Sequence, residues 1–172
     1  MKKFTFLLLI TFISSMFITS CSSDDENGND GGLGNYNIAL KVNGNEWKGN
    51  GQAAINDASG NTENSFLMMG ANSENAPSQG SEFNSMLSGA SLTNGNTIIM
   101  KGGFNGGEYF SLNQNGITYV TNNAPDGQEV GFVKIETYGD RITGTLSGTL
   151  YSESGETITV SEGIFSFSVQ HF

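Results

Sequence analysis

Hydrophobic and polar residues alternate along most of the chain after Tyr36, with a period of two rather than 3.6 residues. The clearest example is the segment 141–151, in which Ile142, Leu146 and Leu150 occupy one face and mainly Thr and Ser occupy the other. Such alternation is typical of a β-strand with one buried face. No segment of useful length has helical spacing, and a chain with 24 glycines is poor helix material.

Turn motifs separate the alternating segments. Asn43-Gly44, Asn94-Gly95 and Asn115-Gly116 are strong hairpin signals, and Tyr138-Gly139-Asp140 and Ser154-Gly155 predict two further turns. About nine or ten strands joined by short turns predict an all-β domain, an antiparallel meander that forms a β-sandwich or a flattened β-barrel.

The last predicted strand changes parity. Ile158 and Val160 are even-numbered apolar positions, whereas Phe165, Phe167 and Val169 are odd-numbered. One extra residue, a β-bulge centred on Gly163, would return all of these side chains to one face.

The strand order within residues 56–92 stays open. The segments 65–71 and 83–92 predict strands, and the polar segment 72–81 predicts a loop.

The first twenty residues have the layout of a secretory signal peptide. Lys2 and Lys3 precede a 15-residue run from Phe4 to Ile18 that only Thr and Ser interrupt, and small residues follow at positions 19 and 20. A transmembrane helix needs about 20 apolar residues. We therefore expect residues 1–20 to be cleaved.

The sequence Ile18-Thr19-Ser20-Cys21 resembles the lipobox of bacterial lipoproteins, in which the cysteine is acylated and becomes the first residue of the mature chain. Cys21 is the only cysteine, so it cannot form an internal disulfide bond. A single acyl chain binds a membrane marginally, but several chains on one residue hold it stably. The resemblance implies that Cys21 is the lipid anchor.

Residues 21–35 predict an acylated Cys and a flexible acidic tether, because a Gly/Asn-rich acidic segment buries too little apolar surface to fold. Within it, Ser23, Asp24, Asp25 and Glu26 resemble the surface-export signal of Bacteroidota lipoproteins. The resemblance implies the outer membrane as location, at the cell surface or otherwise on its periplasmic face. Residues 36–172 then form a single β domain.

The domain also resembles a Bacteroidota outer-membrane lipoprotein family of unknown function. The resemblance spans most of residues 36–169, is best in the last forty, and implies no catalytic residues. Its motifs are turn and core positions: Asn43-Gly44-x-x-Trp47, Gly107-x-Tyr109, Gly131-x-Val133-x-Ile135, Ile142-Thr143-Gly144-Thr145, Gly155-Glu156-x-Ile158-x-Val160 and Gly163-x-Phe165.

Charge and composition exclude several functions. Removing residues 1–20 takes away two lysines and no acidic residue, so the net charge falls from −10 to −12, which repels nucleic acid and anionic headgroups. His171 is the only histidine and lies near the C-terminus, which argues against a Ser-His-Asp hydrolase and against a zinc site. We expect no metal and no cofactor.

The leading hypothesis is a non-enzymatic cell-envelope lipoprotein, a binding or structural module. The alternative is a surface lipoprotein that binds a glycan through exposed aromatic rings or hydrolyses one with two carboxylates. Tyr138 and Tyr151 are the aromatic residues expected to be exposed; the competing interpretation is that the aromatic rings fill the core or cover its edges, as rings usually do. Beyond the membrane, the expected partner is a glycan or an envelope protein. Seven aromatic residues are not assigned to the core by the alternating pattern: Trp47, Phe104, Tyr109, Tyr119, Phe132, Tyr138 and Tyr151.

Overall fold

The structure, a computed structural model, describes residues 33–56, 65–74, 81–103 and 107–172. The predicted signal peptide, Cys21, the export signal and Phe104 lie outside these residues. The described part contains ten strands and two short 3₁₀ turns, at Gly89–Ser91 and Thr121–Asn123. The strands are β1 (Ile38–Val42), β2 (Asn45–Asn56), β3 (Phe66–Ser73), β4 (Glu82–Ser88), β5 (Thr97–Lys101), β6 (Tyr109–Gln114), β7 (Ile117–Val120), β8 (Glu129–Thr137), β9 (Arg141–Tyr151) and β10 (Thr157–His171).

Eight of the strands close into a barrel, in the order β1, β2, β3, β4, β6, β7, β9 and β10, with β10 returning to β1. The remaining two, β8 and β5, extend the sheet outward from β9. All described pairings are antiparallel except the short contact between β10 and β2, which joins residues 169–171 to 53–55. The predicted all-β fold is confirmed, and β5, which pairs with β8, departs from strict meander order.

Of the three predicted hairpins, the one at Asn94-Gly95 is wrong: these residues form a turn, but β5 pairs with β8 rather than with β4. The predicted hairpins at Asn43-Gly44 and Asn115-Gly116 are confirmed. Each is a two-residue turn, because Val42 pairs with Asn45 and Gln114 pairs with Ile117. All four turn residues have positive φ, from 49° to 83°, as this tight turn requires.

The predicted bulge in the last strand is also confirmed, with one change of detail. From Val160 to Gly163 the chain advances three residues while β9 advances two, from Gly148 to Leu146. The residue with positive φ is Glu162, at 52°, and not Gly163. As a result Ile158, Val160, Phe165 and Phe167 are all buried in one core.

The region between residues 56 and 92 contains two strands. The predicted strand 65–71 corresponds to β3, which extends two residues further, to Ser73. The predicted strand 83–92 is shorter than expected, because β4 ends at Ser88 and a 3₁₀ turn follows.

The side chain of Asn37 joins two strands where β2 changes its neighbour from β1 to β10. Its Oδ1 accepts a hydrogen bond from the Gly51 amide at 3.0 Å, and its Nδ2 donates to the Ser166 carbonyl at 3.2 Å. These bonds satisfy backbone groups that neither strand pairing reaches.

Candidate functional site

The outward residues of β2, β3, β4 and β6 lie in three cross-strand rows on one face of the barrel. Directly paired residues in antiparallel strands share a face, so the pairings define the rows. The rows are Asn50, Asn72, Glu82 and Asn113; Gln52, Gly70, Asn84 and Ser111; and Ala54, Met68, Met86 and Tyr109. We call this surface the outer face of β2–β6.

This face contains an open depression of about 980 Å³, which most of the row residues line together with Gln170 and Phe172. Gly70 lies in the middle row and has no side chain to fill the space. A Cβ atom placed on Gly70 would approach only Asn84 Oδ1, at 3.2 Å, and the Phe83 carbonyl, at 4.0 Å. The floor of the depression is therefore backbone, with room above it.

A second glycine permits the close approach of β2 and β3 beside the depression. A Cβ atom on Gly51 would collide with the Gly70 carbonyl and lie 2.6 Å from the Ala71 Cα. Glycine within a strand commonly marks such a close backbone approach. Any larger residue at position 51 would separate the two strands.

Two of the three rows are polar and nearly uncharged. Asn50, Gln52, Asn72 and Asn84 each carry an amide that can both donate and accept hydrogen bonds. Among the described residues that line the depression, Glu82 is the single charged side chain. This lining suits a neutral polar ligand better than an anion, which would need cationic partners.

The third row is mainly apolar; Met68 is exposed, and Ala54, Met86 and Tyr109 are half-buried. Met68 is 48% exposed, and Phe172, which lines the same depression, is 61% exposed. Phe66 and Met86 both lie within 4 Å of the position that a Cβ atom on Gly107 would occupy. Exposed apolar side chains that are clustered, rather than scattered singly, indicate an interaction surface.

Buried hydrogen bonds fix the strands beneath the first row. Trp47 is buried, and its Nε1 donates to Ser81 Oγ at 2.8 Å. Ser81 Oγ in turn donates to the Asn113 carbonyl at 2.9 Å. This chain of bonds joins β2, the start of β4 and β6, so the rows are held in place by the fold itself.

The expectation that Tyr138 and Tyr151 form an exposed pair is wrong. Both rings are half-buried and pack against the core, and Tyr151 Oη accepts a hydrogen bond from Gln128 Nε2 at 3.3 Å. They also lie far apart along β9. Tyr138 follows Thr137, which pairs with Thr143, and Thr143 is eight residues, or about 27 Å of strand, from Tyr151.

The other aromatic candidates divide between the core and the surface. Trp47 and Tyr119 are buried, which confirms the interpretation that such rings fill the core. Phe132 is exposed beside Ile99 on β8 and β5, and Tyr109 is half-buried on the outer face of β2–β6. His171 is exposed in β10 and pairs with Ile55.

Carboxylates are dispersed over the described residues. No group of three or more His, Cys, Asp or Glu residues lies close enough there to hold a metal ion. Glu108 accepts hydrogen bonds from Ser91 Oγ at 2.6 Å and from the Ser88 amide at 3.2 Å. These contacts give Glu108 a structural role at the end of β4.

Sequence reasoning did not identify the depression, although one signal was present. In β3 both faces are apolar, since Phe66 and Met68 alternate with Leu67 and Met69. Only one face of a barrel strand reaches the core, so the other apolar pair had to be exposed. Nothing in the sequence marks Gln52 or Asn84 as their neighbours across the sheet.

The fold and this face together define an all-β barrel protein with one amphipathic outer surface. None of the helical segments in the described residues is long and apolar enough to span a membrane. Comparison with family models, with curated proteins and with solved structures found no match for the chain.

Proposed function

We propose that this protein is a non-enzymatic cell-envelope lipoprotein that acts as a binding module. Its binding surface is the outer face of β2–β6. The observation that carries this proposal is the 980 Å³ depression, which places exposed apolar side chains beside a set of amides on rigid strands. Ligand sites commonly combine a concave apolar surface with a few fixed polar groups.

The proposed location rests on the N-terminal sequence. Cys21 follows an apolar run at the expected place for acylation, and the acidic residues 24–26 follow it directly. Acylation would hold the chain on the outer membrane, and the residues between Cys21 and the buried Leu33 would separate the barrel from the lipid surface. A binding face displayed in this way reaches ligands outside the membrane.

Rigidity supports binding over a purely structural role. The rows lie on strands that pair on both sides, and the Trp47–Ser81–Asn113 bonds fix them from below. Binding costs less free energy when the receptor groups are already ordered.

A glycan-active hydrolase is the second candidate, and Glu82 is the observation in its favour. Hydrolysis needs a second carboxylate about 5–10 Å away. Glu82 is the only side-chain carboxylate among the described residues that line the depression. We therefore favour binding.

Hydroxyl-radical footprinting tests the binding face, because methionine and aromatic side chains are oxidised only where solvent reaches them. The full-length protein is footprinted alone and with the polysaccharide, protein and lipid fractions of the envelope of its own bacterium. We expect one fraction to slow the oxidation of Met68 and Phe172 several-fold.

Phe132 is the matched control, since it is 37% exposed on β8, beside β5, and does not line the depression. Its oxidation rate should not change. Equal protection of Phe132 and Met68, or protection of neither by any fraction, contradicts the proposal.

A further inference from the structure

We infer that the ligand of the outer face of β2–β6 is a neutral glycan chain that runs across the strands. This inference rests on the binding function proposed above and adds the chemical class of the ligand. It follows from three properties of the rows: their charge, their polarity pattern and their spacing.

The charge of the face disfavours an ionic ligand. Glu82 is the single charged side chain lining the depression, and the mature chain has a net charge of −12 after loss of two lysines from a chain of −10. An acidic polymer would meet repulsion without any compensating cation. A cationic ligand would find one carboxylate, which is exposed and weakly attractive.

The polarity pattern matches the two kinds of surface on a sugar ring. A pyranose ring presents C–H groups on its faces and hydroxyl groups at its rim. Met68 and Tyr109, which line the depression, provide apolar surface for the faces, with Met86 between them in the same row. The neighbouring row offers Gln52 and Asn84 to the hydroxyl groups. An amide can donate to one hydroxyl and accept from the next.

The spacing favours a chain over a single sugar. Neighbouring strands lie about 4.8 Å apart, so successive members of a row repeat at nearly the length of one pyranose unit. Four strands span about 14 Å, which accommodates about three sugar units. Gly70 leaves the centre of this path open, because no side chain rises there.

Affinity gel electrophoresis with defined polysaccharides tests the inference. The full-length protein is kept in a polyoxyethylene detergent, since a sugar-headed detergent would compete for the site. The gels contain glycogen, a mixed-linkage β-glucan, mannan or xylan as neutral probes and polygalacturonate as the acidic probe. We expect at least one neutral polysaccharide to retard the protein and polygalacturonate to leave it unretarded.

Gly70→Leu is the blocking variant, because its side chain would enter the depression and displace only the flexible Asn84 side chain. Gly139→Leu is the matched control, since Gly139 is exposed, has no atom within 4 Å of an added Cβ and does not have positive φ. Gly70→Leu should lose most of the retardation and Gly139→Leu none. Tyr109→Ala should weaken the apparent affinity about tenfold, through loss of ring stacking.

The outcomes separate this inference from the proposed binding function. If no neutral polysaccharide retards the protein while a protein or lipid fraction protects Met68 in the footprint, the face binds a different class of ligand. The inference of a glycan ligand is then wrong, and the proposed binding function stands. If a neutral polysaccharide retards Gly70→Leu as strongly as wild type, and thermal melts show both folded, the glycan binds elsewhere and the inference is overturned.

Discussion

Two buried serines, Ser81 just before β4 and Ser85 in its middle, differ in whether their hydroxyl groups are hydrogen-bonded. Ser81 is 2% exposed and bonds both the Trp47 indole and the Asn113 carbonyl. Ser85 is 3% exposed, and its Oγ has no hydrogen-bond partner among the described residues. A buried hydroxyl contributes to stability only when it is satisfied, so the two residues should have opposite effects.

We predict that Ser81→Ala lowers the free energy of unfolding by about 1–3 kcal/mol, because the Trp47 N–H would remain buried without an acceptor. Ser85→Ala should leave the free energy of unfolding unchanged or raise it by up to about 1 kcal/mol, since it removes an unpaired polar group. Equilibrium urea unfolding followed by circular dichroism measures both. Equal losses in the two variants would show that Ser85 has a partner in solution.

At the residue scale the sequence predicts burial well and hydrogen bonding poorly. Alternation predicted the buried face of Ile142, Leu146 and Leu150, because parity follows from strand geometry alone. Ser81 and Ser85 are the same residue type near the same strand. Their difference depends on Trp47, a residue 34 positions away from Ser81, and pairing at that distance leaves no local pattern.

At the element scale the bulge in β10 determines which residues of the strand face the core. Glu162 carries the positive φ, and its carboxylate contacts Lys41 Nζ on β1 at 2.8 Å. Gly163 serves a different purpose, because a Cβ atom there would lie 2.6 Å from the Leu146 carbonyl. The sequence predicted the extra residue from the parity change but assigned the unusual conformation to the glycine.

Deletion of Glu162 should cost more than about 3 kcal/mol, because it would turn either Ile158 and Val160 or Phe165 and Phe167 out of the core. Glu162→Gly keeps the register. It removes the cost of about 1–2 kcal/mol that a non-glycine residue incurs in a left-handed conformation. Against this, it loses an exposed ion pair and increases the conformational entropy that the backbone loses on folding.

We therefore expect Glu162→Gly to stay within about 1 kcal/mol of the wild type in chemical denaturation, while the deletion variant unfolds at much lower denaturant concentration. A deletion variant as stable as Glu162→Gly would mean that the strand can shift its register without loss of core contacts.

At the scale of the whole molecule, the sequence predicted strand number and fold class but not closure. Local turns identify neighbours such as β1 and β2 or β6 and β7. The pairings of β5 with β8, β4 with β6 and β10 with β2 join segments that no short turn connects. The candidate binding face depends on the β4–β6 pairing, so it could not be located before the topology was known.

The anchor proposal predicts that Cys21→Ala prevents incorporation of radioactive palmitate and releases the protein without detergent, because no other residue would carry the lipid. Ser20→Ala, which leaves the thiol in place, is the control and should remain labelled. Labelled Cys21→Ala protein would contradict the assignment of the anchor.

The export proposal is tested by adding protease to intact cells. Wild-type protein should be degraded, and replacement of Asp24, Asp25 and Glu26 by Ala should protect it. Equal digestion of both forms would show that these acidic residues are not a surface-export signal.

The position of β1 has a mechanical consequence for a protein held by its N-terminal segment. This strand is the first after the proposed tether, and it is hydrogen-bonded to β2 along one edge and to β10 along the other. Tension on the tether that acts along the axis of β1 would load both ladders in shear. Many hydrogen bonds must then break together. The junction between the barrel and the tether should therefore resist force better than it would if β1 were an edge strand that could be peeled away one hydrogen bond at a time.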